Sequence, residues 1–195
     1  TVPSVIAGGY ALTINGGASQ TGTVVLSGNN TYSGGTTVSA GTLTAGANTN
    51  PLTGTITYGP FGTNTVTVQS GGALDLNGKT IANDLSLVGT GISSKGALLN
   101  SSATAATENG AITLTGSTNI GVASTSTLTL AGVISGDYGL TFNAGASQTG
   151  TVVLSGTNTY GTTSLASATT VNGGILSISA DANLGTAPTV SAVVN

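Results

Sequence analysis

The side chains that could carry out acid–base or nucleophilic chemistry are few in this chain of 195 residues. It has five acids and two lysines, and it has no arginine, histidine or cysteine. Without histidine and cysteine, a catalytic triad and the usual zinc, haem and iron–sulfur ligand sets are excluded. The charged residues are Asp75, Lys79, Asp84, Lys95, Glu108, Asp137 and Asp181.

Two of the acids have an asparagine two positions later: Asn77 follows Asp75, and Asn183 follows Asp181. On a strand, this spacing places both side chains on one face. A calcium site needs about six to eight oxygen ligands, so a pair of groups is too few. Because Asp and Asn in turns bond to nearby backbone groups, we expect these residues to stabilise turns, and we predict no metal site.

The remaining charges do not form a recognisable catalytic arrangement. Glycoside hydrolysis needs two carboxylates flanking the scissile bond, and the acids here are scattered along the chain. A serine–lysine pair that uses Lys79 or Lys95 has no motif around it. The sequence therefore predicts a protein that is not an enzyme, with no catalytic residues and no cofactor.

The low charge of the chain also limits its partners. Charged residues make up 4% of the sequence, against about 25% in ordinary soluble domains. Two lysines cannot form a phosphate-neutralising patch or a basic amphipathic segment, so nucleic acid and anionic membranes are excluded as partners. No apolar run approaches the roughly 18 residues of a membrane-spanning helix, and we expect no membrane insertion of this segment. Scarce lysine leaves few sites for trypsin-like proteases, which suits an extracellular protein.

Polar character comes instead from hydroxyl and amide side chains. Threonines two positions apart recur, as in Thr63, Thr65 and Thr67, and on one flat face they could order water or bind ice. The high β-propensity of threonine explains the same pattern without a ligand, since the pairs fall at many phases of the chain. Five tyrosines could form a sugar-binding platform. However, Tyr32 and Tyr160 occupy equivalent positions, so packing at a turn is the simpler interpretation.

The elements that must position these residues are short strands joined by tight turns. In Gly22–Leu43, Val24 and Leu26 fall on one face of a strand, and Gly28–Asn30 follow as a turn, because Gly and Asn tolerate positive φ. Strands of about 4–6 residues, with a turn every 8–12 or so, predict an all-β fold that is either a β-sandwich or a β-solenoid. The stretch Ser101–Asn109 has the only helix-like composition, and its short, threonine-containing sequence predicts a loop.

One stretch of the chain occurs twice. Residues 140–160 repeat residues 12–32 at an offset of 128, and 18 of the 21 residues are identical. The match resumes at residues 171–176, which correspond to residues 38–43 at an offset of 133, so five extra residues lie within Gly161–Thr170. Stacked coils tolerate such an insertion because it loops outward from one turn. The repeat therefore favours the solenoid, and we predict that Asn30 and Asn158 stack in amide ladders.

A pattern of glycine, aliphatic and polar residues runs through both copies of the repeat. In the first copy it consists of Gly22, Val24, Leu26, Ser27, Gly28, Asn30, Tyr32, Gly34, Thr36, Val38, Gly41 and Leu43. In the second copy it consists of Gly150, Val152, Leu154, Ser155, Gly156, Asn158, Tyr160, Val171, Gly174 and Leu176. This pattern resembles the passenger-associated transport repeat of bacterial autotransporters. The resemblance implies a right-handed parallel β-helix on the outside of the cell.

We predict an all-β, right-handed parallel β-helix that forms a single domain over residues 1–195, with related units at about 12–44 and 140–177. The β-sandwich is the alternative. With roughly 20 residues per coil, the chain would make about nine or ten coils and a rod about 45 Å long, at about 4.8 Å per coil. The predicted core is Val24, Leu26, Val38, Leu43, Val66, Val68, Leu74, Leu76, Leu85, Leu87, Ile112, Leu114, Leu128, Leu130, Val152, Leu154, Val171 and Leu176.

The resemblance implies an extracellular structural β-solenoid of a bacterial surface protein, acting as a stalk, an adhesin segment, or a self-assembling fibre or biofilm-matrix subunit. The alternative is a glycan- or ice-binding surface module, with host or cell-surface glycans as partners. Thr1–Ala11 and Thr186–Asn195 contain no charged side chain, whereas exposed strand edges usually carry charges that prevent stacking. We therefore expect end-to-end self-association through a terminal strand.

Overall fold

Short strands account for nearly all of the regular structure. The computed structural model describes residues 1–15, 21–143, 145, 147–161 and 169–185. Two 3-10 helices, Ile92–Ser94 and Asp181–Leu184, are the helical elements of this part of the chain. The strands are β1 (Leu12–Ile14), β2 (Thr23–Leu26), β3 (Thr36–Val38), β4 (Gly41–Ala45), β5 (Val66–Val68), β6 (Gly72–Asp75), β7 (Thr80–Ile81), β8 (Leu85–Gly89), β9 (Leu98–Asn100), β10 (Ala106–Glu108), β11 (Ile112–Val122), β12 (Thr127–Leu130), β13 (Ile134–Ser135), β14 (Leu140–Phe142), β15 (Thr151–Leu154), β16 (Thr169–Val171) and β17 (Ile175–Ile178).

The pairing of these strands defines three faces, and every pair is parallel. Face 1 contains β1, β3, β5, β8, the first part of β11, and β13. Face 2 contains β2, β4, β6, β9, the second part of β11, β14 and β16, while face 3 contains β7, β10, β12, β15 and β17. The chain visits the faces in turn and returns one layer further along. This arrangement is the predicted parallel β-helix and not the alternative sandwich.

Strand β11 continues around a corner of the coil from face 1 to face 2. Its first residues, Ile112–Leu114, pair with β8, and Ile120–Val122 pair with β9. The register shifts between Leu114 and Thr118, where the chain turns the corner. As a result, faces 1 and 2 form one sheet of 12 strands, and face 3 forms a sheet of five.

The coils vary in length. Val66 pairs with Leu85, 19 residues later, whereas Gly41 pairs with Gly72, 31 residues later. The predicted coil of roughly 20 residues is therefore too short for most layers. Sequence alone does not show which turns carry extra residues, because such residues leave the coil without changing the strand pattern on either side.

The described residues give eight layers on face 2, namely its seven strands and the bridge between Val2 and Leu26. At about 4.8 Å per layer they span about 38 Å. One cause of the lower layer count is an excursion between Asn50 and Tyr58, whose backbones bond across its base. The predicted insertion within Gly161–Thr170 lies outside the described residues except at its ends.

The three faces enclose one apolar core, which follows from the two-residue period of the strands. Of the 18 predicted core residues, all are buried or pack against the core except Val171, which is 46% exposed. Val24 and Leu176 are partly buried. Val24, Val171 and Leu176 lie near the two ends of the stack, where each has a paired strand residue on one side only among the described residues. Each buried aliphatic side chain contributes about 1.5–3 kcal/mol.

The predicted loop at Ser101–Asn109 is wrong at its end, where β10 forms. Ala106 and Glu108 point inward with Thr107 between them, so the segment has the two-residue alternation of a strand. The sequence concealed this alternation because its inward residues are an alanine and an acid. Both pair with apolar residues of β12, as Ala106 lies beside Leu128 and Glu108 beside Leu130.

The two copies of the repeat lie on different faces. β1 is on face 1, while its counterpart β14 is on face 2. Likewise β2 is on face 2, and its counterpart β15 is on face 3. The second copy is therefore rotated by one face relative to the first. Several layers separate the copies, so each is stacked on unrelated sequence.

The duplication allows the stability contribution of one leucine position to be compared between an internal layer and the last described layer. Leu43 is fully buried between Val24 and Leu74, whereas its counterpart Leu176 pairs with Val152 on one side only among the described residues. We expect Leu43→Ala to lower the free energy of unfolding by about 2–5 kcal/mol and Leu176→Ala by clearly less. Urea denaturation of the two variants measures the difference. Equal losses would contradict this account of the last layer.

Candidate functional site

Asp75 in the first acid–asparagine pair and Asn183 in the second bond to backbone, as their turn positions predict. Asp75 Oδ1 accepts the N–H groups of Asn77 and Ser101 at 3.0 and 3.1 Å, and its Oδ2 accepts the Ser101 hydroxyl at 2.5 Å. These bonds fix the corner after β6 and connect it to the next layer. Asn183 Oδ1 accepts the N–H groups of Ser179 and Ala180 at 3.0 and 2.9 Å.

The structure does not bring the charged residues together. Asp181 lies in the 3-10 helix of the last layer, far along the axis from Asp75. Lys79 follows the turn after β6, and Lys95 follows the first 3-10 helix. Across the described ranges, no group of three or more acidic, histidine or cysteine side chains is placed to hold a metal ion.

The residues that recur in both copies of the repeat form a buried corner. Asn30 Oδ1 accepts the N–H of Ile6 at 2.8 Å, and its Nδ2 donates to the carbonyl of Pro60 at 2.7 Å. Asn158 does the same with Ile134 N–H, at 2.8 Å, and the Asn183 carbonyl, at 2.6 Å. Each asparagine therefore links the layer below to the layer above through backbone groups.

The predicted amide ladder is wrong. Asn30 and Asn158 are on different faces several layers apart, and both bond to backbone rather than to another amide. Three further buried asparagines bond to backbone at other corners, and the sequence analysis missed them: Asn100 and Asn143 link two layers in the same way, whereas Asn83 donates to two carbonyls of the layer below. A signal was present, since each lies at the end of a strand with inward aliphatic residues or within two residues of that end.

The repeated tyrosine completes the corner. Tyr32 is 1% exposed, and its hydroxyl bonds to that of Thr36 at 2.6 Å. Tyr160 is equally buried and bonds to Thr169 at 2.8 Å. The bond is preserved although the insertion lies between Tyr160 and Thr169. Burial raises the pKa of both tyrosines, and the threonine bond partly offsets this.

A glycine on the adjacent layer makes room for each tyrosine. Gly62 has φ of 71°, and a Cβ there would lie 2.4 Å from the Tyr32 carbonyl oxygen. Gly185 has φ of 82° and the same relation to Tyr160, at 2.5 Å. These tyrosines are packing residues, as predicted, and their rings are not available as a sugar platform. Among the other tyrosines, Tyr10 is 85% exposed.

Glu108 is buried, and only one of its two carboxyl oxygens has a hydrogen-bond partner. Glu108 Oε1 accepts the N–H of Gly110 at 2.9 Å, but Oε2 has no hydrogen-bond partner. Burial raises the pKa of Glu108 well above its usual value, the Gly110 bond partly offsets this, and the charge of Asp84 raises it further. The carboxyl group is therefore neutral well above the pH at which a free glutamate ionises.

We expect the raised pKa of Glu108 to make stability depend on pH. The folded state holds the proton more tightly than the unfolded state, so the contribution is complete below the unfolded pKa of about 4.3. The contribution of Glu108 to the free energy of unfolding decreases as pH rises and levels off above the folded pKa. Urea unfolding across pH 4–8 should therefore show a steeper loss in wild type than in Glu108→Gln, with Asp181→Asn as the exposed control. Parallel pH profiles would contradict this assignment.

We expect the corner asparagines to stabilise the coil strongly. Asn158→Ala would leave the Ile134 N–H and the Asn183 carbonyl without partners inside the protein, at about 1–3 kcal/mol for each buried group. The free energy of unfolding should decrease by about 2–4 kcal/mol in urea titrations. The exposed Asn172 provides the control, and a similar loss in Asn172→Ala would contradict the corner role.

The threonine surface is more regular than the sequence predicts. One column of outward hydroxyl groups runs along face 1, at the middle residue of successive strands. The column does not come from the Thr-x-Thr pairs, because most of its members are single residues between inward aliphatic side chains. Two positions further along the strands, Gln69 and Val88 interrupt any second column. The column contains Thr13, Thr37, Thr67, Ser86, Thr113 and Ser135.

The surface clefts of the described residues are small. A cleft of about 190 Å3 lies between the Asn50–Tyr58 excursion and the layer beneath, with Ile56, Asn64 and Asp84 in its walls. Another, of about 240 Å3, lies beside β2. Typical ligand pockets have about 300–1,000 Å3, so neither cleft has the volume of a cofactor site.

The buried corners, the apolar core and the parallel layers define a β-solenoid that is built from a recurring coil unit. Residues 19–45 and 147–178 match the family model of the passenger-associated-transport-repeat. The chain therefore contains two copies of this autotransporter passenger repeat, which confirms the resemblance of its repeat. Comparisons with curated proteins and with solved structures gave no match.

The repeat family implies a secreted or surface location for this chain. Within the described ranges, no helix combines the length and the apolar character needed to cross a bilayer. The two matched segments thus carry the repeat that characterises autotransporter passengers.

Proposed function

We propose that this segment is a structural rod of a bacterial surface protein, serving as a stalk, an adhesin segment or a fibre subunit. The observation that carries this proposal is the continuous bonding along the axis. Parallel strands pair on all three faces, and buried asparagines such as Asn30 and Asn158 link the layers at the corners. A rod of this kind holds two ends of a protein at a fixed distance.

The acids support a structural role rather than catalysis. Asp75, Asp84 and Glu108 each accept a backbone N–H group, and those bonds fix corners of the coil. A general acid or base must instead face a substrate within hydrogen-bond reach. Because these three acids are committed to backbone on separate strands and turns, we propose that the segment is not an enzyme.

Mechanical unfolding tests the rod function. Pulled from its two ends, the chain should unravel coil by coil, because each layer contacts only its neighbours. The coil lengths of 19 to 31 residues correspond to extensions of about 65–110 Å per step. Asn158→Ala should lower the force of the step at its own layer and leave the others unchanged. A chain that extends at negligible force, with no steps, would contradict the rod.

The alternative is recognition of a glycan or of ice, and the hydroxyl column on face 1 favours it. Thr37 and Thr67 lie in the middle of this column and point outward. Glycan-array and ice-recrystallisation assays separate the alternatives, with Thr37→Val/Thr67→Val as the test variant and Thr107→Val on face 3 as the control. Activity that is lost only in the face 1 variant would support recognition.

A further inference from the structure

A polar groove runs along the start of face 1, where the chain enters β3, β5 and β8. It consists of two clefts of about 190 and 160 Å3, which share Asn64 and Thr65 in their walls. Together the two clefts reach the lower end of the range of ligand pockets, about 300–1,000 Å3. The groove crosses three layers, or about 10 Å along the axis at about 4.8 Å per layer, so its shape suits an extended ligand.

The excursion between Asn50 and Tyr58 forms one wall of the groove and is held in place at its base and further along. At the base, the N–H of Asn50 donates to the Tyr58 carbonyl at 2.8 Å, and the N–H of Tyr58 donates to the Asn50 carbonyl at 3.1 Å. Further along, Asn109 Nδ2 donates to the Leu52 carbonyl at 2.8 Å. A wall that is already fixed does not have to be ordered when a ligand binds, which favours affinity.

Several polar atoms of the groove are left available by the fold. Asp84 Oδ1 accepts the N–H of Ala111 at 2.9 Å, which fixes the carboxylate, while Oδ2 accepts no hydrogen bond from the described residues. The hydroxyl groups of Thr37, Thr55 and Thr67 likewise form none with the described part of the chain. A carboxylate oxygen accepts hydrogen bonds and a hydroxyl group both donates and accepts them, so these atoms match a ligand that is rich in hydroxyl groups.

The charge of the groove limits the class of ligand. Asp84 is the only charged residue that lines either cleft, and neither lysine does so. An anionic ligand, such as a nucleic acid or a sulfated glycan, would meet a carboxylate without a cation to offset the repulsion. A neutral ligand that donates a hydrogen bond to Asp84 Oδ2 meets no such penalty.

The strands beneath the groove disfavour a peptide. An extended peptide binds a sheet by adding to an unpaired strand edge. Here β5 lies between β3 and β8, while β3 also pairs with β1 and β8 also pairs with β11. Both edges of all three strands are therefore occupied, and recognition at this site depends on side chains.

We propose that this groove binds a neutral, unbranched oligosaccharide that lies along the rod axis. The proposal rests on the glycan alternative of the proposed function and names its site and its class of ligand. Sugar hydroxyl groups bond to Asp84 Oδ2 and to Thr55 of the excursion, and the apolar side of a sugar ring packs on Ile56. Further along, the ligand reaches Thr37 and Thr67, where the groove joins the hydroxyl column of face 1.

Two substitutions in the groove, each with a matched control, test the proposal. Asp84→Asn keeps an oxygen for the Ala111 N–H and replaces the available oxygen with a donor, and Thr55→Val removes a hydroxyl group from the wall. The controls are Asp181→Asn in the second 3-10 helix and Thr107→Val on face 3, which line neither cleft. Circular dichroism and thermal melting establish that all four variants fold.

Isothermal titration calorimetry measures binding of four neutral probes, namely cellohexaose, laminarihexaose, mannohexaose and chitohexaose, and of a heparin hexasaccharide as the anionic probe. We expect wild type and both controls to bind a neutral probe with equal affinity and to bind no heparin. Asp84→Asn should bind roughly ten- to a hundredfold more weakly, because it loses a hydrogen bond to a charged group. Thr55→Val should bind roughly two- to tenfold more weakly, because it loses a neutral one.

Three results would overturn the proposal: no binding of any neutral probe, tighter binding of heparin, or equal affinity in Asp84→Asn and wild type. If affinity is lost in Thr37→Val/Thr67→Val but kept in Asp84→Asn, the ligand binds on the open column. The groove assignment then fails and glycan recognition stands. A protein that binds none of the probes but unravels in steps under force would overturn recognition and leave the rod function standing.

Discussion

The hydrogen bond between layers is the constraint on which the rest of this structure depends. Each strand is only two to five residues long, apart from β11, and is too short to be stable without a neighbour on each side. Every layer must therefore repeat the strand positions of the layer beneath it, although its turns can differ. The corners are where this requirement is hardest to meet, because backbone groups there leave the strand ladder.

Buried side chains bond to the backbone groups at the corners. Asparagine suits this position because its amide donates and accepts at once, so Asn30 can bond to Ile6 below and Pro60 above. Glu108 shows the limit of the arrangement. Its carboxyl group bonds to one backbone N–H and leaves its second oxygen unpaired in the core. The free-energy cost of an unpaired buried oxygen does not arise at Asn30 and Asn158, because the amide oxygen and nitrogen of each form hydrogen bonds.

Much of the architecture could be predicted from the sequence, and the reasons are local. Inward positions such as Val66 and Val68 follow from the two-residue period, which each strand displays independently. The corner partners could not be predicted, because Asn158 bonds to Asn183 and Ile134, which neighbouring layers supply. The coil length was underestimated for a related reason. An excursion such as the one between Asn50 and Tyr58 is invisible until the pairing of the flanking strands is known.

The rotation of the second repeat by one face has a geometric consequence for anything attached to the rod. Equivalent outward residues of the two copies do not lie along one side of the rod, because they are on different faces. A third unit at the same spacing would place its β1 equivalent on face 3, and a fourth would return to face 1. In this chain the repeated pattern thus turns by one face about the axis between its two copies, so their equivalent turns point in different directions.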